Sequence, residues 1–492
     1  MAALRKPQHT SPAVMWFRDD LRVSDNAALS AAADTDAPLL CVYVLDEQSN
    51  GFRAIGGASR WWLHHSLVAL GKGIEKLGGR LDLFEGSALE IITELAKEAS
   101  ARAVFWSRRY GSAEIAVDTS IKAELHQAGI DAKSFAGSLL HEPWETRAKS
   151  RGAHKVFSAY WRAARTLPPS GDTLGVPGRL NAVAYPRGGP KRVSLAQLAL
   201  LPTRPDWASG LRAAWTPGET GAHERLAAFL DGPLRDYATG RDDLARDGTS
   251  RLSPHLRFGE ISPRQIFYAL DHAVARGNIT QSAEKFRAEL GWRDFNYHVL
   301  FHHPDIATHN LNARFDAMPW RKPQTAELEA WQSGKTGYPL VDAGMRELWA
   351  TGYMHNRVRM IAASFLIKHL LMDWRTGEEW FWDTLCDADP ANNPMNWQWV
   401  AGSGADAAPF FRIFNPVLQG EKFDPQGVYI RRHIPEIAAL PDTWIHKPWL
   451  APVERLKAAG IKLGETYPKP IVDLSEGRAR ALAGLARTKE GL

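Results

Sequence analysis

Four short apolar runs near the start of the chain restrict its fold more than any other feature. Val14-Met15-Trp16-Phe17 and the stretches 39–45, 80–84 and 103–106 read as buried strands. Between the second and third, Leu63, Leu67, Leu70, Ile74 and Leu77 recur at spacings of four and three, as one face of a helix should. Strands alternating with amphipathic helices bury both when the helices lie on a parallel sheet, so the expectation is a doubly wound α/β domain. Such sheets bind ligands beyond the carboxyl ends of their strands, which makes the turn holding Arg18, Asp19 and Asp20 a candidate binding edge. No Gly-x-Gly-x-x-Gly fingerprint stands there, and the glycines of Gly402-Ser403-Gly404-Ala405-Asp406-Ala407 follow no evident strand.

At 492 residues the chain is too long for one ordinary core. The stretch 167–221 is rich in Pro and Gly with little periodicity and reads as a long surface connector. Helical patterns dominate after it. Ser253-Pro254 and Ser262-Pro263 each set a capping hydroxyl before a proline suited to the first helical position, and Gln265 completes a capping box in the second case. The expected organisation is an α/β domain over 12–140, a linker over 141–220 and an all-α domain over 221–485. Two cysteines exclude a disulfide framework or a cysteine-rich metal site, and the 17 histidines show no ligand spacing, so no metal is expected. No apolar run is long enough to cross a bilayer and the first residues are polar, which together predict a cytoplasmic protein. The formal charge of +5 suits a polyanionic partner.

Chemistry concentrates late in the chain. Of 19 tryptophans, 11 fall from Trp292 onward, and 387–416 gathers Asp387, Asp389, Asn392-Asn393, Trp397-Gln398-Trp399, Asp406 and Arg412. Carboxylates and amides beside paired indoles suit a pocket that hydrogen-bonds a flat heteroaromatic ring and offers it stacking surface. Trp397 and Trp399, if helical, point nearly opposite ways, because two residues turn a helix by about 200°. Trp320 and Trp374 are candidates to extend an aromatic route to the surface. Thr249, Ser250, Arg251, Leu252 and Ser253 put three hydroxyls and a guanidinium at a helix start, where free amides hold phosphate. Glu289, Trp292, Arg293 and Asn296 lie along one helical face that is not built for a dry core. Asn356 and Met360 share another face, flanked by Arg357 and Arg359.

These motifs together resemble the photolyase and cryptochrome family along nearly the whole chain. The likeness runs from Trp16-Phe17-Arg18-Asp19-Asp20-Leu21-Arg22 with Asp25-Asn26, through Gly291-Trp292-Arg293-Asp294-Phe295, Lys335-Thr336-Gly337-Tyr338-Pro339 and His355-Asn356-Arg357, to Phe411-Arg412-Ile413-Phe414-Asn415-Pro416. The resemblance implies an all-α domain holding FAD in a U shape and a light-driven repair of cyclobutane pyrimidine dimers in UV-damaged DNA, by electron transfer from excited FADH⁻ to a flipped-out dimer. It implies Tyr237 and Thr249 to Ser253 on the FAD phosphates and ribose, Arg293, Asp387 and Asp389 along the ring, Arg359 paired with Asp387, and Asn393 at flavin N5. Glu289, Trp292, Asn356, Met360 and Trp399 would meet the dimer, Arg241, Arg293, Arg357 and Arg412 the DNA phosphates, and Trp397, Trp374 and Trp320 would photoreduce the flavin. Glu114 matches a position that contacts a folate antenna, which implies 5,10-methenyltetrahydrofolate as second chromophore, and a monomer is expected. Asn296-Tyr297 and Pro394-Met395-Asn396 depart from the most familiar bacterial enzymes and point to the branch near plant cryptochromes. The rival reading is a cryptochrome, a photoreceptor with the same flavin fold; Asn393, Glu289 and the short tail after Val472-Asp473 favour repair. A light-independent nucleotide- or RNA-binding protein is the third reading, resting on charge and α/β organisation alone.

Overall fold

The computed structural model describes residues 11–146, 152–277, 279–407 and 411–490. Five strands, β1 (Ala13–Phe17), β2 (Leu39–Leu45), β3 (Leu81–Glu85), β4 (Ala103–Ser107) and β5 (Asp131–Phe135), form one parallel sheet in the order β3-β2-β1-β4-β5. Every residue of β1, β2 and β4 is buried, as strands covered on both faces require. The helix Gly57–Lys76 covers one face with Trp61, Trp62, Leu63, Leu67, Leu70 and Ile74, and Ala88–Glu98 and Ser112–Gln127 cover the other. The fifth strand is absent from the sequence reading because Asp131-Ala132-Lys133-Ser134-Phe135 is half-exposed at the sheet edge and carries no apolar run.

Beyond the sheet, residues 165–208 contain no helix or named strand and run along the domain, burying Leu180, Leu198 and Leu200 in its core and bridging to it at Leu39–Ala182 and Leu83–Val193. From Ser209 onward the named elements are helical. Their main core packs Pro339–Thr351, Asn356–Ser364 with its π-helical continuation Phe365–His369, Trp374–Thr384 and Asn392–Ala401 around Trp331, Trp374 and Trp397. Ser262 and Gln265 form the expected capping box. Ser253 does not cap: it is itself the first residue of the short helix Ser253–Arg257, and its hydroxyl donates to Asp387 at 2.5 Å. Among the described residues no helix is long and apolar enough to cross a membrane.

The turn after β1, expected as a ligand-binding edge, is instead the joint between sheet and helices. Leu21 N–H donates to the Phe258 carbonyl at 3.0 Å, Arg257 pairs with Asp19 at 2.8 Å, and the buried Arg22 donates to the Gly259 carbonyl at 2.8 Å. Gly259 has a φ of +64°, and a Cβ there would stand 2.0 Å from the Asp19 carbonyl oxygen, so only glycine admits this approach. Arg18 turns away onto Asp118 at 2.6 Å.

Candidate cofactor and substrate site

A cavity of ≈ 560 Å³ opens within the helical domain, a volume usual for small-molecule sites. Its walls are Tyr237 with the 249–253 loop, one face of Thr280–His302, the start of Asn356–Ser364, and the loop 385–389 leading into Asn392–Ala401. Glu289, Trp292, Arg293 and Asn296 all line it, so the helical spacing of 289, 292, 293 and 296 becomes one wall.

The floor is polar and tightly paired. Arg359 grips Asp387 with both terminal nitrogens, at 2.9 and 2.8 Å, while its Nε donates to the Met354 carbonyl at 2.6 Å. This bidentate fork fixes the carboxylate in orientation as well as charge. Asp389 is occupied locally, accepting from Ala391 N–H, Asn392 N–H and the Asn392 amide, and Asn392 in turn accepts from Asn296 at 2.7 Å. Asp389 therefore shapes the loop that brings Asn393 to the cavity. Arg251 has a left-handed φ of +52° that turns the 249–253 loop, and its guanidinium lies between the rings of Trp215 and Tyr353, 4.7 and 5.0 Å from their centroids. An observed backbone outlier of this kind at a cavity wall is a common companion of ligand binding.

Asn393 carries the most specific polarity. Its Nδ2 donates to the Glu378 carbonyl at 3.0 Å and to the Glu378 carboxylate at 2.8 Å. Both partners only accept, so the amide is locked with Oδ1 as its remaining polar atom, and no described residue donates to that oxygen. Glu378, buried and paired with Arg53 at 2.8 Å, was missed by the sequence reading because Trp374–Thr384 looks like a solvated helix there. Gly377 was missed too, although a glycine inside a helix is a signal of close approach: Trp397 presses its indole onto it, and a Cβ at 377 would lie 2.1 Å from the ring.

Trp397 and Trp399 differ as their spacing predicts. Trp397 is buried against Phe381 and Trp331, with ring centroids 4.9 and 6.3 Å away, whereas Trp399 is half-buried with Arg412 over its ring at 5.4 Å. Both reach the cavity. Trp374, buried, donates to Asn310 at 2.9 Å one helical turn before Gly377, and half-buried Trp320 packs at the edge of the same core. Trp397 thus meets the Trp374 helix through Gly377, not ring to ring. Trp292 stacks on Phe157 at 3.8 Å and 11°.

At the mouth stand Arg241, Arg357 and Arg412. Arg241 donates to Glu289, and Arg357 pairs with Asp242 at 2.6 Å. His355 joins them: its Nδ1 accepts from Arg357 N–H at 3.2 Å while Nε2 faces the Arg241 carbonyl at 3.0 Å. Burial lowers its pKa to about 4, so it is neutral with Nε2 protonated, the tautomer those two contacts need. Arg293, expected among the phosphate contacts, belongs to the interior instead: it is 9% exposed and donates to the Ser138 and Leu256 carbonyls. Glu114 lies outside the cavity, at the first turn of Ser112–Gln127, with its carboxylate against Gly111. Among the described residues no cluster of ligands could hold a metal ion.

The donor set fits a flavin dinucleotide: a turned Ser/Thr loop beside cations for a pyrophosphate, a fixed carboxylate and guanidinium for the ring, and an acceptor oxygen held in one orientation. Residues 286–487 match the family model described as the FAD binding domain of DNA photolyase, and residues 13–174 the model described as DNA photolyase. The chain is 50% identical to a deoxyribodipyrimidine photo-lyase of Agrobacterium fabrum, covering 98% of this chain and 99% of that one. It is 37% identical to cryptochrome-2 of Arabidopsis thaliana, covering 97% of this chain and 79% of the relative. Its fold superposes on the crystal structure of a class III photolyase from Agrobacterium tumefaciens with a TM-score of 0.94 and 50% identity, over 99% of this chain and all of that one. Fold, cavity and full-length identity converge, and the chain belongs to the DNA photolyase family.

Proposed function

We propose that this protein is a deoxyribodipyrimidine photo-lyase that uses FAD and light to repair cyclobutane pyrimidine dimers in UV-damaged DNA. The observation that carries the reading is Asn393, whose orientation by Glu378 leaves an acceptor for a protonated flavin N5 and adds no charge there. A flavin held there in its reduced form would supply light-driven electron-transfer chemistry that is redox-neutral overall. The residues do the rest. The 249–253 loop and Tyr237 hold the phosphates and ribose, and Arg293, Arg359 and Asp387 set the ring. Trp292 and Trp399 offer faces to the extruded bases, with Asn356 and Met360 beside them, and Glu289 accepts a hydrogen bond from the dimer. Arg241, Arg357 and Arg412 take the DNA backbone, which positions the duplex without reading its sequence. A damaged pair costs less to extrude than an intact one. Trp397, Trp374 and Trp320 would relay electrons from the surface toward a bound flavin. A cryptochrome role is the weaker alternative, since the photo-lyase relative is the more similar of the two.

The test is repair itself. Reduced protein incubated with a dimer-containing oligonucleotide is expected to restore adjacent thymines under blue light and not in darkness; no light-dependent product would overturn the reading. In the same assay Glu289→Gln is expected to lose about 1–3 kcal/mol of lesion recognition, a fall of about five- to 150-fold in repair efficiency at normal flavin content. Loss of flavin from that variant would mean Glu289 lies against the cofactor instead.

For the second chromophore we propose 5,10-methenyltetrahydrofolate, with Glu114 contacting it. Half-buried Glu114 sits beside Arg109, whose charge it helps to stabilise, a polar edge suited to a pterin amide. Acid extraction is expected to release folate-type fluorescence along with FAD from the wild type, and FAD alone from Glu114→Ala. The two buried free thiols, Cys41 and Cys386, suit a reducing cytoplasm, and we propose a monomer there, to be checked by sedimentation.

A further inference from the structure

Along the cavity mouth five side chains alternate in charge. Lys285 Nζ lies 3.6 Å from Glu289, Glu289 accepts from Arg241, Arg241 Nε lies 3.9 Å from Asp242, and Asp242 accepts from Arg357 at 2.6 Å. Asp242, like Glu289, differs from the carboxylates of the cavity floor. Asp387 is fastened by Ser253 and Asp389 by backbone amides, but among the described residues the only partners of Asp242 are the two guanidiniums. No backbone amide or hydroxyl among the described residues fastens its carboxylate. Its side chain is 31% exposed and that of Arg357 22%, so both remain within reach of a solute.

We propose that Asp242 is a specificity residue that masks Arg357, and with it Arg241, until the phosphates beside an extruded lesion displace it. This rests on the repair reading above. In an undamaged duplex the bases stay stacked and the backbone stays outside the mouth, so the arginines keep their carboxylate partners. They act on that DNA only through a field screened over about 8 Å at physiological ionic strength. Swinging a dimer into the cavity draws its flanking phosphates to the rim. Each guanidinium then exchanges a carboxylate for a phosphate, and Glu289, freed from Arg241, turns to the lesion. Discrimination thus comes from ion pairs that only the extruded backbone can open, a repulsive element against the wrong substrate as well as an attractive one for the right one.

The number of phosphates neutralised is read from the salt dependence of binding, about 0.9 in the slope of log K against log salt per contact. Binding of the FAD-loaded protein is measured in darkness, to undamaged duplex and to duplex carrying one dimer. Asp242→Asn is expected to steepen the slope for undamaged duplex by about 0.9 and to tighten that binding about fivefold at 0.15 M salt, leaving the slope for dimer duplex in place. Arg357→Gln is expected to flatten the dimer slope by about 0.9 and leave the undamaged slope in place. Equal changes on both duplexes, or none, in either variant overturn the masking role, and flavin absorbance at the wild-type level certifies that each variant is folded. A wild type that fails to prefer dimer duplex sinks the repair reading and this inference together. One that prefers it while Asp242→Asn moves both slopes alike sinks the inference alone.

Discussion

Asp387→Asn is expected to purify without its flavin. The substitution keeps the size of the side chain but turns an amide nitrogen toward a guanidinium that has only donors, so one of the two bonds to Arg359 is lost and the cation is left without a counter-charge. Removing one partner of a largely buried pair costs about 3 kcal/mol, beyond a hundredfold in a dissociation constant if it falls on the bound state. Ser253 would lose the carboxylate it donates to, loosening the loop read as the phosphate holder. The measurement is the ratio of flavin to protein absorbance after purification. A variant that retains a full complement of FAD would show that Arg359 and Asp387 serve the protein alone.

Trp397→Phe is expected to separate two activities that depend on the same cavity. Photoreduction of oxidised flavin, followed by absorbance under blue light, should slow by an order of magnitude or more, because phenylalanine is far harder to oxidise than an indole. Repair by chemically prereduced enzyme should stay near wild type, since Trp397 reaches the cavity but is packed into the core against Phe381 and Trp331, while the dimer is read as meeting Trp399 and Trp292. Removing part of an indole packed on Gly377 and Phe381 costs about 1–2 kcal/mol, felt as a lower melting temperature and not as lost flavin. If prereduced repair collapses as well, Trp397 is holding the cofactor or the lesion and is not an electron donor.

How legible this molecule is from its residues depends on how local the governing contact is. The buried strands β1, β2 and β4 and the 289, 292, 293, 296 face were readable because burial and periodicity are written within a few residues. The 387–416 stretch was readable for a different reason: its composition is too polar and too aromatic for a plain core. What escaped depends on partners far along the chain. Ser253 has the sequence context of an N-cap, yet its hydroxyl goes to Asp387, which lies 134 residues further along the chain. Glu378 reads as one more acidic residue on a helix, and only the fold shows it orienting Asn393. Likewise Asp242 is unremarkable in a charged turn until Arg357 arrives from another helix. The edge strand β5 was invisible because half its residues face water.

The joint at Gly259 bears on how such a chain can change over time. A parallel sheet ordinarily keeps the lip beyond its central strand open, and new ligands are acquired there by altering loops. Here that lip is plugged by backbone from the helical half, with the Asp19 carbonyl and the 259 α-carbon nearly touching. Variation at 18–22 is therefore answerable to fit between the halves before any chemistry.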